Sequence, residues 1–282
     1  MEFVLELNDF ISGERLQEIA HVTFFGTNNS NIPNQLKNTK TVLRDVSKFY
    51  LEDDENIVYV YGHDLELFFN TTWPKITNPI KIISHNTDYP VDSKFTQYLE
   101  DSKLIHWYAQ NAVLDHPKLT PLPIGIANRQ WPHGNLENIL SVINEHNKKE
   151  NLVYKNFDIN TNQNARNKIN QITHGNKIFM DSNQPHTEYL RRVSKSVFVI
   201  SPPGNGVDCH RIWESLYMGA VPIVEANTAF RNFTDLPILF IDKWEDVTLD
   251  FCKSQIPNFY SGNKSYNLDK LKMQYWKDLI NG

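Results

Sequence analysis

Short, unbroken runs of β-branched and aromatic residues recur along the chain at 20–25, 57–61, 79–84, 104–109, 152–159, 177–180, 197–200, 221–224 and 236–241. Between them lie stretches of mixed or helical character at 36–50, 64–70, 135–146, 166 onward, 188–195, 208–218, 244–251 and 268–280. Because the short runs are unbroken, they predict strands buried on both faces, as in parallel sheets. Residues 1–7 predict a first strand or a cover on a sheet edge; 119–126, with two prolines and a glycine, predicts an edge strand or an irregular connection. Strand and helix in alternation give two Rossmann-like α/β halves, an N-terminal one over 1–148 and a C-terminal one over 149–265. The charged, turn-like Asn147-Lys148-Lys149-Glu150-Asn151 marks the hinge, and 266–282 predicts a last helix that packs back on the N-terminal half.

The most informative unit is strand, loop, helix, strand over 197–225. Asp208 predicts the helix N-cap, and Gly219 with Pro222 predicts its end and the entry to the next strand. A βαβ crossover puts the intervening loop at the carboxyl edge of the sheet, where open α/β folds bind ligands. Amides freed by Gly204, Asn205 and Gly206, with a helix dipole behind them, suit a phosphate or diphosphate. Asp208, Arg211 and Glu214 are spaced by three and share a helix face. Arg211 can reach a diphosphate and Glu214 the hydroxyls of a ribose. The same spacing also fits a surface ion pair worth only about 0.2–0.5 kcal/mol.

Other polar groups cluster after strands. His85-Asn86-Thr87-Asp88 follows 80–84, which makes Asp88 a candidate general base and His85 its partner, although Asn-Thr-Asp is also ordinary turn chemistry. Asn111 is placed at the exposed end of the strand 104–109. Asn128, Arg129, Trp131 and His133 form a polar loop whose indole is either a sugar-stacking platform or a plug between domains. Arg166, at a helix start after the first strand of the second half, is a second cation for a diphosphate or an exposed Arg beside Lys168. Phe179 or Met180 is placed to stack on a base.

The string Pro-x-Gly-x-Gly from Pro202, then Asp208-Cys209-His210-Arg211-x-Trp213-Glu214-Ser215-Leu216-x-x-Gly219-x-x-Pro222-Ile223-Val224, resembles the donor-nucleotide segment of exostosin-like glycosyltransferases. Ser84-His85-Asn86-x-Asp88, Gln110-Asn111 and the run from Pro123 to Gly134 extend the resemblance over most of the chain. It is most similar to the short enzymes of this family encoded by large algal viruses, which include sugar-nucleotide-dependent xylosyltransferases. The resemblance implies a GT-B-type fold and inverting transfer of a sugar, xylose from UDP-xylose, to a glycan hydroxyl, with Arg211 on the diphosphate and Glu214 on the ribose. Donor-binding positions are expected at Arg166, Ser201, Pro203, Gly204, Asn205, Gly206, Asp208, His210, Arg211 and Glu214. Catalytic ones are expected at Asp88 and His85, and acceptor-binding ones at Asn86, Asn111, Asn128, Arg129, Trp131 and His133. The alternative is a non-catalytic nucleotide- or sugar-binding module on the same fold.

Composition narrows the classes further. The 282 residues are 40% hydrophobic, enough for a sizeable core, and the net charge of −5 argues against a duplex nucleic-acid or anionic-membrane partner. Cys209 and Cys252 predict two free thiols without metal-type spacing. Residues 1–10 carry three acids and no basic, apolar leader, so a soluble cytoplasmic protein is expected, virus-encoded if the resemblance holds. No Asp-x-Asp triplet occurs, Asp53-Asp54-Glu55 reads as a solvated turn, and no metal or other cofactor is expected.

Overall fold

The computed structural model describes residues 4–26, 42–43, 51, 56–174, 179–180 and 184–282. Most of the helical stretch expected at 36–50, the acidic turn at Asp53 and the side chains of Phe179 and Met180 lie outside the described residues.

The N-terminal half carries α1 (Gly13–Gln17), β1 (Val22–Phe24), β2 (Val42–Leu43), β3 (Ile57–Tyr61), α2 (Leu65–Leu67), β4 (Ile80–His85), α3 (Thr96–Leu99), β5 (Leu104–Gln110), β6 (Leu119–Leu122) and α4 (Leu136–Ile143). The C-terminal half carries β7 (Asn151–Lys155), α5 (Gln163–His174), β8 (Phe179–Met180), α6 (His186–Ser194), β9 (Ser196–Ile200), α7 (His210–Tyr217), β10 (Val221–Glu225), β11 (Leu239–Ile241), α8 (Leu249–Tyr260) and α9 (Met273–Asn281).

Every strand pairing is parallel, in a six-stranded sheet ordered β2-β1-β3-β4-β5-β6 and a five-stranded one ordered β11-β10-β9-β7-β8. The chain is therefore α/β, with two parallel sheets. Ile82 sits between Val58 and Trp107, and Val199 between Tyr154 and Pro222; both faces of these central strands are covered, so β4 and β9 are buried at all but one position each and mainly apolar, with Ser84, His85 and Ser196 as buried polar residues.

Several expected boundaries move. Residues 4–7 form no strand; Leu5 is buried in the core instead. The run at 152–159 pairs only as far as Lys155, after which the chain turns through Phe157 into a short 3-10 turn at Ile159–Asn162. The helix expected at 244–251 is a 3-10 turn, Trp244–Asp246, followed by α8, whose N-cap Thr248 accepts from the Phe251 amide at 3.1 Å. Helix α6 begins at His186 after Pro185, two residues before the expected start at 188.

One hydrophobic cluster runs through both halves. It joins Tyr59, Ile83, Tyr108 and Leu122 under the first sheet to Tyr154, Val199, Ile212 and Trp213 under the second, with Trp276 and Ile280 of α9. Helix α9 lies against the first half: Lys81 Nζ donates to Ile280 O at 2.7 Å and Tyr108 Oη to Leu279 O at 3.0 Å. Tyr217 Oη accepts from the Ile11 amide at 3.1 Å and donates to Leu271 O at 2.9 Å, tying α7 to both. Among the described residues, no helix is long and apolar enough to cross a membrane.

Candidate active site

The carboxyl ends of β7 and β9 and the N-terminal turns of α6 and α7 surround a cavity of about 570 Å³. Asp88, Ile124 and His133 of the first half close its other side. It forms where it does because β9 ends in Ser201-Pro202-Pro203-Gly204-Asn205-Gly206, a sequence that cannot extend the ladder and leaves a loop ahead of α7. Among the described residues the amides of Gly204, Asn205 and Gly206 have no hydrogen-bond acceptor.

Two guanidinium groups face this loop. Arg166 is buried; its Nε donates to Pro203 O at 2.9 Å and its Nη1 to Asp158 O at 2.6 Å. Arg211 Nε donates to Asn156 O at 2.8 Å. Both lie over the Phe157 ring, at 5.6 and 5.8 Å from its centroid. Among the described residues neither forms an ion pair; burial, then Arg211, lowers the Arg166 pKa. Two neighbouring cations without a carboxylate between them make a site for a polyanion.

Glu214, one turn further along α7, is buried. Its Oε1 lies 2.9 Å from His186 Nε2 and its Oε2 accepts from Tyr189 Oη at 3.0 Å. Burial alone would push this carboxyl up, but the bonds from His186 and Tyr189, with His210 nearby, hold it below the usual range. His210 Nδ1 contacts Gly125 O at 2.8 Å. His133 completes a histidine arc, 6.0 Å from His186 and 6.3 Å from His210 between ring centroids; burial, then His210, lowers its pKa.

Other expected site residues have different work. Asp208 is not the cap of α7; Cys209 holds that place. The Asp208 carboxylate instead accepts from the Ile124 amide at 2.7 Å and from Trp213 Nε1 at 2.9 Å, binding the two halves together, and burial pushes its pKa up to about 7. Asn111 is buried rather than exposed. It donates to Thr87 O and accepts from the Asp208 amide at 3.0 Å, and a Cβ on Gly206 would lie 2.7 Å from its Nδ2, so only glycine passes there. Asn86 donates to Tyr59 Oη at 2.7 Å and accepts from Asn128, whose own Oδ1 caps the Glu14 amide. Asn86 and Asn128 knit the first half together, and Asn111 joins it to the second.

His85 is buried with Nε2 at 3.0 Å from Pro123 O, and burial pushes its pKa down to about 4. It is a neutral structural group, so its expected partnership with Asp88 is not made. Asp88 itself is exposed on the cavity wall. Ser201 is buried and donates to Val199 O, and Pro203 serves through its carbonyl to Arg166; neither lines the cavity. Trp131 is half exposed and stacks on His133 with planes 18° apart. It faces a neighbouring groove shared with Arg15 and with Arg129, which is paired to Glu14 at 2.9 Å.

His186, Tyr189, Phe157 and Thr161 line the cavity but were not singled out in the sequence. His186 and Tyr189 are three apart on one helix, a signal the sequence carries; that α6 lies beside α7 is not in the sequence. Cys209 and Cys252 are free thiols. Among the described residues no three His, Cys, Asp or Glu side chains are grouped to hold a metal ion.

Residues 128–256 match the family model described as the RXYLT1 C-terminal domain, a stretch that includes Arg166, the glycine loop, Arg211 and Glu214. No curated protein matches the chain. Among solved structures, it is similar to a glycosyltransferase from Rickettsia africae ESF-5, at 12% identity over 95% of this chain and 89% of that one, with a TM-score of 0.43. It is also similar to T4 phage BGT in complex with UDP and Mn2+, at 10% identity over 92% and 94% of the two chains, with a TM-score of 0.35.

Proposed function

We propose that this protein is a nucleotide-sugar-dependent glycosyltransferase of GT-B type, akin to the exostosin-like xylosyltransferases, with UDP-xylose as donor and a glycan hydroxyl as acceptor. The observation that supports it most is the pair Arg166 and Arg211, neither in an ion pair among the described residues, beside the unpaired amides of 204–206. The family match over 128–256 covers the same residues.

In the reaction proposed, the acceptor oxygen attacks the anomeric carbon from the side of Asp88, which takes the hydroxyl proton. The bond from that carbon to the diphosphate breaks, and the electron pair leaves on the phosphate oxygen with inversion at carbon. The two guanidinium groups and the loop amides offset the charge that develops on the leaving group, so no metal ion is needed. Glu214 takes the ribose hydroxyls and His133 lies near the reacting centre.

A transfer assay in EDTA with a panel of nucleotide sugars tests this. Wild type is expected to turn over one donor, and Asp88→Asn to retain donor binding while losing about 10²-fold or more in kcat. Donor binding without turnover by wild type would make the protein a binding module. Activity lost in EDTA and restored by manganese would refute the metal-free step.

A further inference from the structure

A second cavity, of about 450 Å³, lies at the end of α7 away from the first. Val142 of α4 and Leu5 wall it from the N-terminal half, and Leu216, Met218 and Phe259 wall it from the other. Its polar lining is His146, Asn147, Ser194 and three tyrosines, together with Lys149 on the segment joining the halves. Lys149 Nζ donates to Ser194 O at 2.9 Å and reaches Met218 O at 3.5 Å, carbonyls at the ends of α6 and α7. No carboxylate pairs with it among the described residues, and burial pushes its ammonium down to about 8.

Carbonyl oxygens at helix C-termini accept a cation well, but they carry only partial charge. A part-buried ammonium so held has given up some of its water and has gained no counter-ion among the described residues. The cavity surface around it is mainly apolar: leucine, valine, methionine and aromatic side chains. A dianion would bring one negative charge more than the site can match, and a neutral apolar molecule would desolvate Lys149 further.

We propose that this cavity binds a small amphipathic monoacid, its carboxylate on Lys149 Nζ and its apolar body against Leu216, Met218 and Phe259. Walls from both halves mean that the ligand holds their junction as well as filling it.

Calorimetric titration of the full chain with 3-phenylpropanoate and with 3-phenylpropanol tests this. The acid is expected to bind about tenfold or more tightly than the alcohol, the difference one charge-assisted hydrogen bond makes. Lys149→Met is expected to abolish that preference, and it replaces an unpaired, part-buried charge with a chain of similar length, so folding is expected to persist. Leu268→Trp, at the cavity wall, is expected to remove binding of both probes, which keeps the test independent of the lysine. Equal or stronger binding of the alcohol to wild type, no saturable binding of the acid up to millimolar concentration, or acid binding unchanged in Lys149→Met would overturn the proposal.

Discussion

Glu214 accepts hydrogen bonds from His186 and Tyr189, yet a carboxylate has about four lone-pair positions, so two remain for a ligand. Among the described residues Arg211 is hydrogen-bonded through Nε to a backbone carbonyl and weakly through Nη1 to Cys209 Sγ, which leaves the end of its fork for a diphosphate. Arg211→Ala is expected to weaken binding of nucleoside diphosphates by about 10- to 100-fold and leave nucleoside binding near wild type. Glu214→Ala is expected to weaken uridine and UDP alike; titration of both ligands against both variants separates the two roles, and equal losses in Arg211→Ala, or unchanged uridine binding in Glu214→Ala, would contradict it. His85 supplies a pH dependence. Its pKa is near 4 folded and near 6.5 unfolded, so the neutral ring stabilises the fold fully above about pH 6.5. That contribution, about 3 kcal/mol, is lost as pH falls from 6.5 towards 4, because only the unfolded chain takes up the proton there. Urea unfolding at pH 7 and pH 4.5 is expected to show a smaller loss in His85→Gln than in wild type. That Arg211 and Glu214 face the same way was legible from spacing, since a helix fixes which side chains share a face, and Arg166 from its place at a helix start after a strand. The asparagines were not. Asn86 and Asn111 have φ near 58° and 55°, a left-handed turn that aims Asn86 at Tyr59 and Asn111 at Thr87 and across to the Asp208 amide, and no polar pattern reveals that twist.

Helix α7 works at both ends. Its first turns present His210, Arg211 and Glu214 to the cleft, and Leu216 to Met218 wall the second cavity. What fixes its start is the clasp of Asp208 and Asn111, where each half supplies an acceptor for an amide of the other. Asp208→Ala would leave the Ile124 amide and Trp213 Nε1 without acceptors in a buried place, and a loss of about 2–4 kcal/mol is expected in urea unfolding. A change under about 0.5 kcal/mol would show that water fills the gap and that the clasp is dispensable. The strands were legible because burial on both faces forces unbroken apolar runs. Helix starts were less so: Asp208 has the chemistry of a cap, but its carboxylate is drawn to a partner 84 residues away, and local propensity carries no record of such a partner.

At the scale of the molecule, the parallel α/β character was readable from the alternation of strand and helix, whereas the continuity of one core under both sheets was not. Apolar residues that meet across the junction look, in sequence, like those that stay within one sheet. The shared cluster means that the stretch matched by the family model, 128–256, contains the cations, the glycine loop and Glu214 but not the surfaces they rest on. Ile212 and Trp213 of α7 belong to the same cluster as Tyr59, Ile83 and Trp276, all outside that stretch. Expressed by itself, 128–256 is expected to be insoluble or molten; a soluble fragment with a cooperative melt would show the reverse. On the proposed reading, donor preference therefore does not travel as a cassette. Grafting the segment into a relative would carry the ligand contacts and leave half of the scaffold behind, so any redesign of specificity has to begin at the cavity wall, one side chain at a time.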